Sequence, residues 1–167
     1  GYNTAIGASA LGLNVDGSKS VAIGHAALYT QEPATATDMY NVAVGHYAGY
    51  ATTTAVQNTI VGGHAGDALT TGGLNVAIGY AALSVEDTGT RNVAVGYEAL
   101  NAQNYGTTNY NTAVGFQAGV AVTTGLNNTF VGANAGDGTD DGGNNVAVGY
   151  LALSANCGDD NTAVGTS

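Results

Sequence analysis

One nine-residue pattern, Asn-[Thr/Val]-Ala-[Val/Ile]-Gly-x-x-Ala-[Leu/Gly], recurs along this chain and limits what it can fold into more than any other feature. Copies begin at Asn3, Ser20, Asn41, Asn58, Asn75, Asn92, Asn111, Asn128 and Asn145, and a tenth opens at Asn161. Copies four and eight carry Ile60 and Phe130 in place of the middle Ala. The motif glycines are Gly7, Gly24, Gly45, Gly62, Gly79, Gly96, Gly115, Gly132, Gly149 and Gly165, and their steps are 17 residues apart from 21, 19 and 16 at three places. A period of this length marks a solenoid in which one repeat is one coil, so residues 1–167 read as a single repeat domain.

The period inside the motif is that of a strand. In Asn92-Val93-Ala94-Val95-Gly96, β-branched residues alternate with small or polar ones, placing Val93 and Val95 on one side and Asn92, Ala94 and Gly96 on the other. The expectation is that the Val and Ile column forms the core and that the thin Ala and Gly face lets another layer or chain come close. Ile, Val, Leu and Phe make up only about 20% of the chain, too few for a conventional interior but enough for a one-dimensional core kept in register. Stacking at the strand spacing of about 4.8 Å aligns Asn41, Asn58, Asn75, Asn92, Asn111, Asn128 and Asn145 into a ladder that satisfies amides along the axis. The motif glycines, Gly45 through Gly149 among them, suit the sharp turn that ends each strand. The predicted fold is therefore all-β, a parallel β-solenoid of about ten short coils.

A second period lies above the first. Copies one, two, five, six and nine end in Leu, whereas copies three, four, seven and eight end in Gly49, Gly66, Gly119 and Gly136. The two long steps fall at corresponding places, within Tyr29–Tyr40 and Asn101–Tyr110, so a duplicated block of four coils is the simplest origin. Both loops present polar and aromatic side chains of the kind that contact receptors. Tyr40, Gln103, Tyr105 and Tyr110 are the candidates there.

Lys19 and Arg91 are the only strong cations beside 12 acidic residues, and the net charge is −10. That balance excludes the basic footprint of a nucleic-acid binder, and no apolar run approaches the ~20 residues of a membrane span. Cys157 is alone and has no disulfide partner within the chain. His25 and His46 follow the motif glycine in successive coils and His64 lies one position further on. The same column continues with Tyr80, Tyr97, Phe116 and Tyr150, so a ladder of stacked rings is expected there rather than a metal site. The acidic turns at Glu86-Asp87, Asp137, Asp140-Asp141 and Asp159-Asp160 match no calcium loop and read as a solvated face. Val61-Gly62-Gly63-His64-Ala65-Gly66 resembles a phosphate-cradling turn but recurs at Val131–Gly136 as a plain repeat position with no helix pattern after it. With no nucleophile context or paired carboxylates, the expectation is a protein that is not an enzyme and has no catalytic, cofactor or metal residues.

Segments such as Ser20-Val21-Ala22-Ile23-Gly24 and Asn75-Val76-Ala77-Ile78-Gly79 resemble the repeated core of YadA-type trimeric autotransporter adhesin heads. The longer form, with Tyr-x-Ala-Leu or Phe-x-Ala-Gly after the motif glycine, is similar to repeats in bacteriophage tail-fibre and structural proteins. The likeness covers nearly the whole chain. It implies a left-handed β-roll that associates as a homotrimer in a virion tail fibre or at a cell surface, giving reach, stiffness and attachment to a host-surface glycan or protein receptor. The chain begins part of the way into one coil and ends within another, which fits a segment of a longer fibre. An extracellular filament whose subunits stack end to end is the alternative expectation. A flat face for ice or crystalline polysaccharide is a third, weakened because Thr alternates with Val at the second motif position.

Overall fold

A computed structural model of the chain describes residues 1–167 except Thr107, which belongs to the second long loop. Ten three-residue strands lie side by side in chain order: β1 (Thr4–Ile6), β3 (Val21–Ile23), β5 (Val42–Val44), β6 (Thr59–Val61), β7 (Val76–Ile78), β8 (Val93–Val95), β9 (Thr112–Val114), β10 (Thr129–Val131), β11 (Val146–Val148) and β12 (Thr162–Val164). All nine neighbouring pairs are parallel and motif position matches motif position, as in Val93 with Thr112, Ala94 with Ala113 and Val95 with Val114. The chain is thus an all-β parallel solenoid of about nine turns.

The two faces of the strands are the reverse of the sequence expectation. The middle motif residues Ala22, Ala43, Ile60, Ala77, Ala94, Ala113, Phe130 and Ala147 are fully buried, together with the motif asparagines from Asn41 to Asn145. Val42, Ile78, Val114, Val131 and Val148 point outward and leave 36–38% of their surface exposed. Two physical demands override the preference for burying the bulkier side chain. The asparagine amide must reach a turn carbonyl 14 residues on, at the end of its own coil, which fixes that face inward. A coil of 17 residues also encloses too little width for two columns of branched side chains.

What fills the interior explains the second period. Leu28, Leu83 and Leu100 enter the core from the fourth position after the motif glycine, as does an Ala from the third, for example Ala82 and Ala99. Where the strand brings in Ile60, its own coil and the one before it have Gly66 and Gly49 at the Leu position; a methyl added to Gly49 would press on Ile60, and one added to Gly66 would press on Leu69 beside it. Phe130 is likewise flanked by Gly119 and Gly136. The alternation of Leu and Gly is volume compensation, which keeps packing close to native density as the core changes composition.

The motif glycines are required on conformational grounds. Their φ angles run from +123° to +146°, a region closed to side chains, and a Cβ on Gly96 would overlap the carbonyl oxygen of Gly115 in the next coil. The two long coils share one more element. β2 (Gly17–Ser18) pairs with β4 (Thr37–Asp38), and the corresponding residues Thr90 and Thr108 of the second block form a single parallel bridge.

Candidate functional site

The asparagine ladder forms as the repeat predicts and is the chief polar structure of the interior. Asn58 accepts the Asn75 N–H at 2.8 Å and donates Nδ2 to the Gly72 carbonyl at 2.9 Å. Asn41, Asn75, Asn111, Asn128 and Asn145 repeat both bonds, so each ties its own coil shut and fastens the next one to it. Asn92 is the exception. Its Oδ1 accepts the Asn111 N–H at 3.2 Å, but its Nδ2 is buried without a partner among the described residues.

That exception belongs to a polar cluster between the second long coil and the regular coil before it. Glu86 is fully buried: Oε1 accepts the Gly89 N–H at 2.7 Å, and Oε2 accepts from Gln103 Nε2 and Asn109 Nδ2, both at 2.9 Å. Gln103 in turn accepts from Asn111 Nδ2 at 2.9 Å. Three N–H donors thus satisfy both buried oxygens of one side chain. Gln103 is therefore withdrawn as a receptor-contact candidate, because its amide is enclosed between the carboxylate and the ladder with no exposed surface.

The remaining loop candidates are at the surface, and two of them share a device that the sequence reading missed. Lys19 Nζ lies 5.3 Å from the Tyr40 ring centre and 2.7 Å from Asp38 Oδ2, while the Arg91 guanidinium lies 5.8 Å from the ring of Tyr110. The chain's only two strong cations thus each cover the tyrosine that closes a long coil. Hydrogen bonds first from Lys19 and then from Ser18 hold the Asp38 carboxyl below its ordinary pKa, and the bond to Asp38 raises that of Lys19. Tyr105 is 40% exposed with no such cover among the described residues.

On the outside, the strand residues present two parallel columns, Thr or Val before the buried residue and Val or Ile after it, with no charged side chain in either. Beyond the motif glycines runs the ring column. His25 stacks on His46 at 5.1 Å, Tyr80 on Tyr97 at 5.6 Å and Tyr97 on Phe116 at 5.3 Å. The Glu98 carboxylate, hydrogen-bonded to the Tyr97 hydroxyl, raises the pKa of that phenol. His64 turns toward Asp67, 2.9 Å away. Among the described residues, no three His, Cys, Asp or Glu side chains converge as metal ligands, and no helix is long and apolar enough to cross a membrane. No protein-family model, curated protein or solved structure matches the chain. The functional reading accordingly rests on the solenoid, its outer strip and its ring column.

Proposed function

We propose that the chain is a structural, non-catalytic shaft module of a phage tail fibre or adhesin, working on a virion or cell surface as a left-handed homotrimer. It supplies rigid reach and carries attachment to a host-surface glycan or protein receptor. The observation that supports this reading is the uncharged strip of Val, Ile and Thr that runs the length of the ten-stranded sheet on its outer side. Nine strand spacings make the strip about 43 Å long. A continuous apolar strip of that length on a soluble protein marks a surface that another chain covers, and identical copies supply one in register. The hand and the threefold symmetry follow from the resemblance of the repeats to adhesin heads.

Electrostatics shape how the association responds to conditions. Each copy adds a charge of −10, so assembly gathers like charge and is favoured as salt screens it. The test is mass and shape in solution. Light scattering is expected to give three times the 16.4 kDa chain mass, and electron microscopy a rod with a threefold axis. Long fibres that grow with concentration would favour the end-to-end filament instead, and a compact monomer would overturn both.

A further inference from the structure

The ring column is interrupted once in each four-coil block. In order it holds His25, His46, Gly63 and Tyr80 in the first block and Tyr97, Phe116, Ala133 and Tyr150 in the second. The first interruption is closed. His64 swings across it, 5.5 Å from His46, 5.5 Å from Tyr47 and 6.1 Å from Tyr80. In the second block the place of His64 is taken by Asn134, which is too short to span the gap and donates Nδ2 to Gln117 Oε1 at 3.4 Å.

The second interruption is therefore open. Phe116 stacks on Tyr97 through one face only, and Tyr150 stacks on no ring among the described residues. They are 50% and 57% exposed. Two rungs separate them, about 9.6 Å at the strand spacing, so a ring lying over Ala133 would sit about 4.8 Å from each, within stacking range. Along one side runs a polar rail in which Gln117 Nε2 donates to Glu98 Oε2 at 2.8 Å and Asn134 follows on the next coil.

We propose that the gap over Ala133 is a subsite for one pyranose ring of a neutral glycan. The C–H faces of the sugar lie against Phe116 and Tyr150, and its hydroxyls take the amides of Asn134 and Gln117. A puckered sugar ring fills a two-rung opening better than a flat arene, and only a ligand with polar edges uses the amide rail. Glu98 and the net charge of −10 select against acidic sugars. The inference rests on the attachment role proposed above and names its ligand class. It needs no trimer, so a mass measurement and a binding measurement can fail separately.

The experiment titrates the intact chain with chitohexaose and with cellohexaose, following the aromatic resonances of Phe116 and Tyr150. Binding in the millimolar range is expected for at least one of them. Phe116→Ala is expected to weaken it roughly tenfold, whereas Tyr80→Ala, in the first block, leaves it unchanged. Ala133→Tyr fills the gap and continues the ladder, so it is expected to abolish binding while leaving the melting temperature the same or higher. Binding that survives Ala133→Tyr in a folded protein overturns the proposal. So does the absence of binding by either hexaose, and binding of indole without either hexaose would assign the gap to aromatic side chains instead.

Discussion

The two long coils solve one structural problem with different chemistry. Each inserts residues into a regular 17-residue step, and each places a buried glutamine, Gln31 or Gln103, to accept from the ladder asparagine of the next coil. In the first block Gln31 donates to Asn14 at 3.1 Å, with Met39 packed close by. In the second, Asn14 is replaced by Glu86 and Met39 by Asn109, so the carboxylate arrives together with an extra amide that donates to it. The ladder residue differs as well. Ser20 occupies the first long coil and gives its hydroxyl to Gln31 at 3.1 Å, whereas Asn92 in the second keeps an amide nitrogen with no partner among the described residues. The second block exchanges an apolar filler for a buried carboxyl group, and the donors change with it.

Breaking the second cluster is expected to have an effect as large as that of any core substitution. Glu86→Ala strands the Gly89 N–H and the amides of Gln103 and Asn109 in the interior, at a cost of about 3–5 kcal/mol, read as a lower urea midpoint. Installing the first block's pair, Glu86→Asn with Asn109→Met, is expected to recover more than half of that loss. If the paired change is no better than the single one, the two clusters are not interchangeable.

The compensated core offers the next comparison. Phe130→Ala leaves a cavity between Gly119 and Gly136 and is expected to cost about 3–5 kcal/mol. The reciprocal Ile60→Phe, at a site already flanked by Gly49 and Gly66, is expected to cost less than about 1.5 kcal/mol in the same denaturation assay.

The ladder should show the contrast on a smaller scale. Asn75→Ser loses the bond to the Gly89 carbonyl and is expected to destabilise by about 1–3 kcal/mol. Asn92→Ser removes an unpaired buried donor and copies Ser20, so its melting temperature is expected to hold or rise.

The smallest difference is one of pH. The Asp38 carboxyl is held below its ordinary value of 3.8, so its contribution is present above that value and lost as pH falls through the lower folded one. Lys19 is raised above 10.5, and its contribution is lost only as pH rises through the higher folded value. Arg91 meets hydroxyls and a ring rather than a carboxylate. The protection factor of the Met39 amide, which corrects for the intrinsic slowing of exchange in acid, is therefore expected to fall on acidification more than that of the Asn109 amide.

Much of this organisation was legible in the sequence because it depends on spacing. The coil length, the in-register strands, the asparagine ladder and the stacked rings all follow from motif positions that recur. The direction of the strand faces did not follow. Alternation in Val93-Ala94-Val95 reports two faces without saying which is enclosed, and the usual preference for burying Val yields here to coil width and to the turn-carbonyl bonds of ladder residues such as Asn75 and Asn111. Gln103 and Glu86 looked like loop surface because they lie in polar stretches. Aligning the two blocks, which sets Gln31 against Gln103 and Asn14 against Glu86, is the signal that could have marked them as one interior column.

Two adjacent substitutions in β8 test the central claim, that the Ala column is inside and the Val and Ile column is the surface for association. Ala94→Lys and Val95→Lys are compared by circular dichroism and light scattering under the same conditions. With Ala94 fully buried and Val95 facing outward, Ala94→Lys is expected to lose the fold, whereas Val95→Lys keeps the β spectrum and falls from the proposed trimer to a monomer. A folded Ala94→Lys chain beside an unfolded Val95→Lys chain would contradict it.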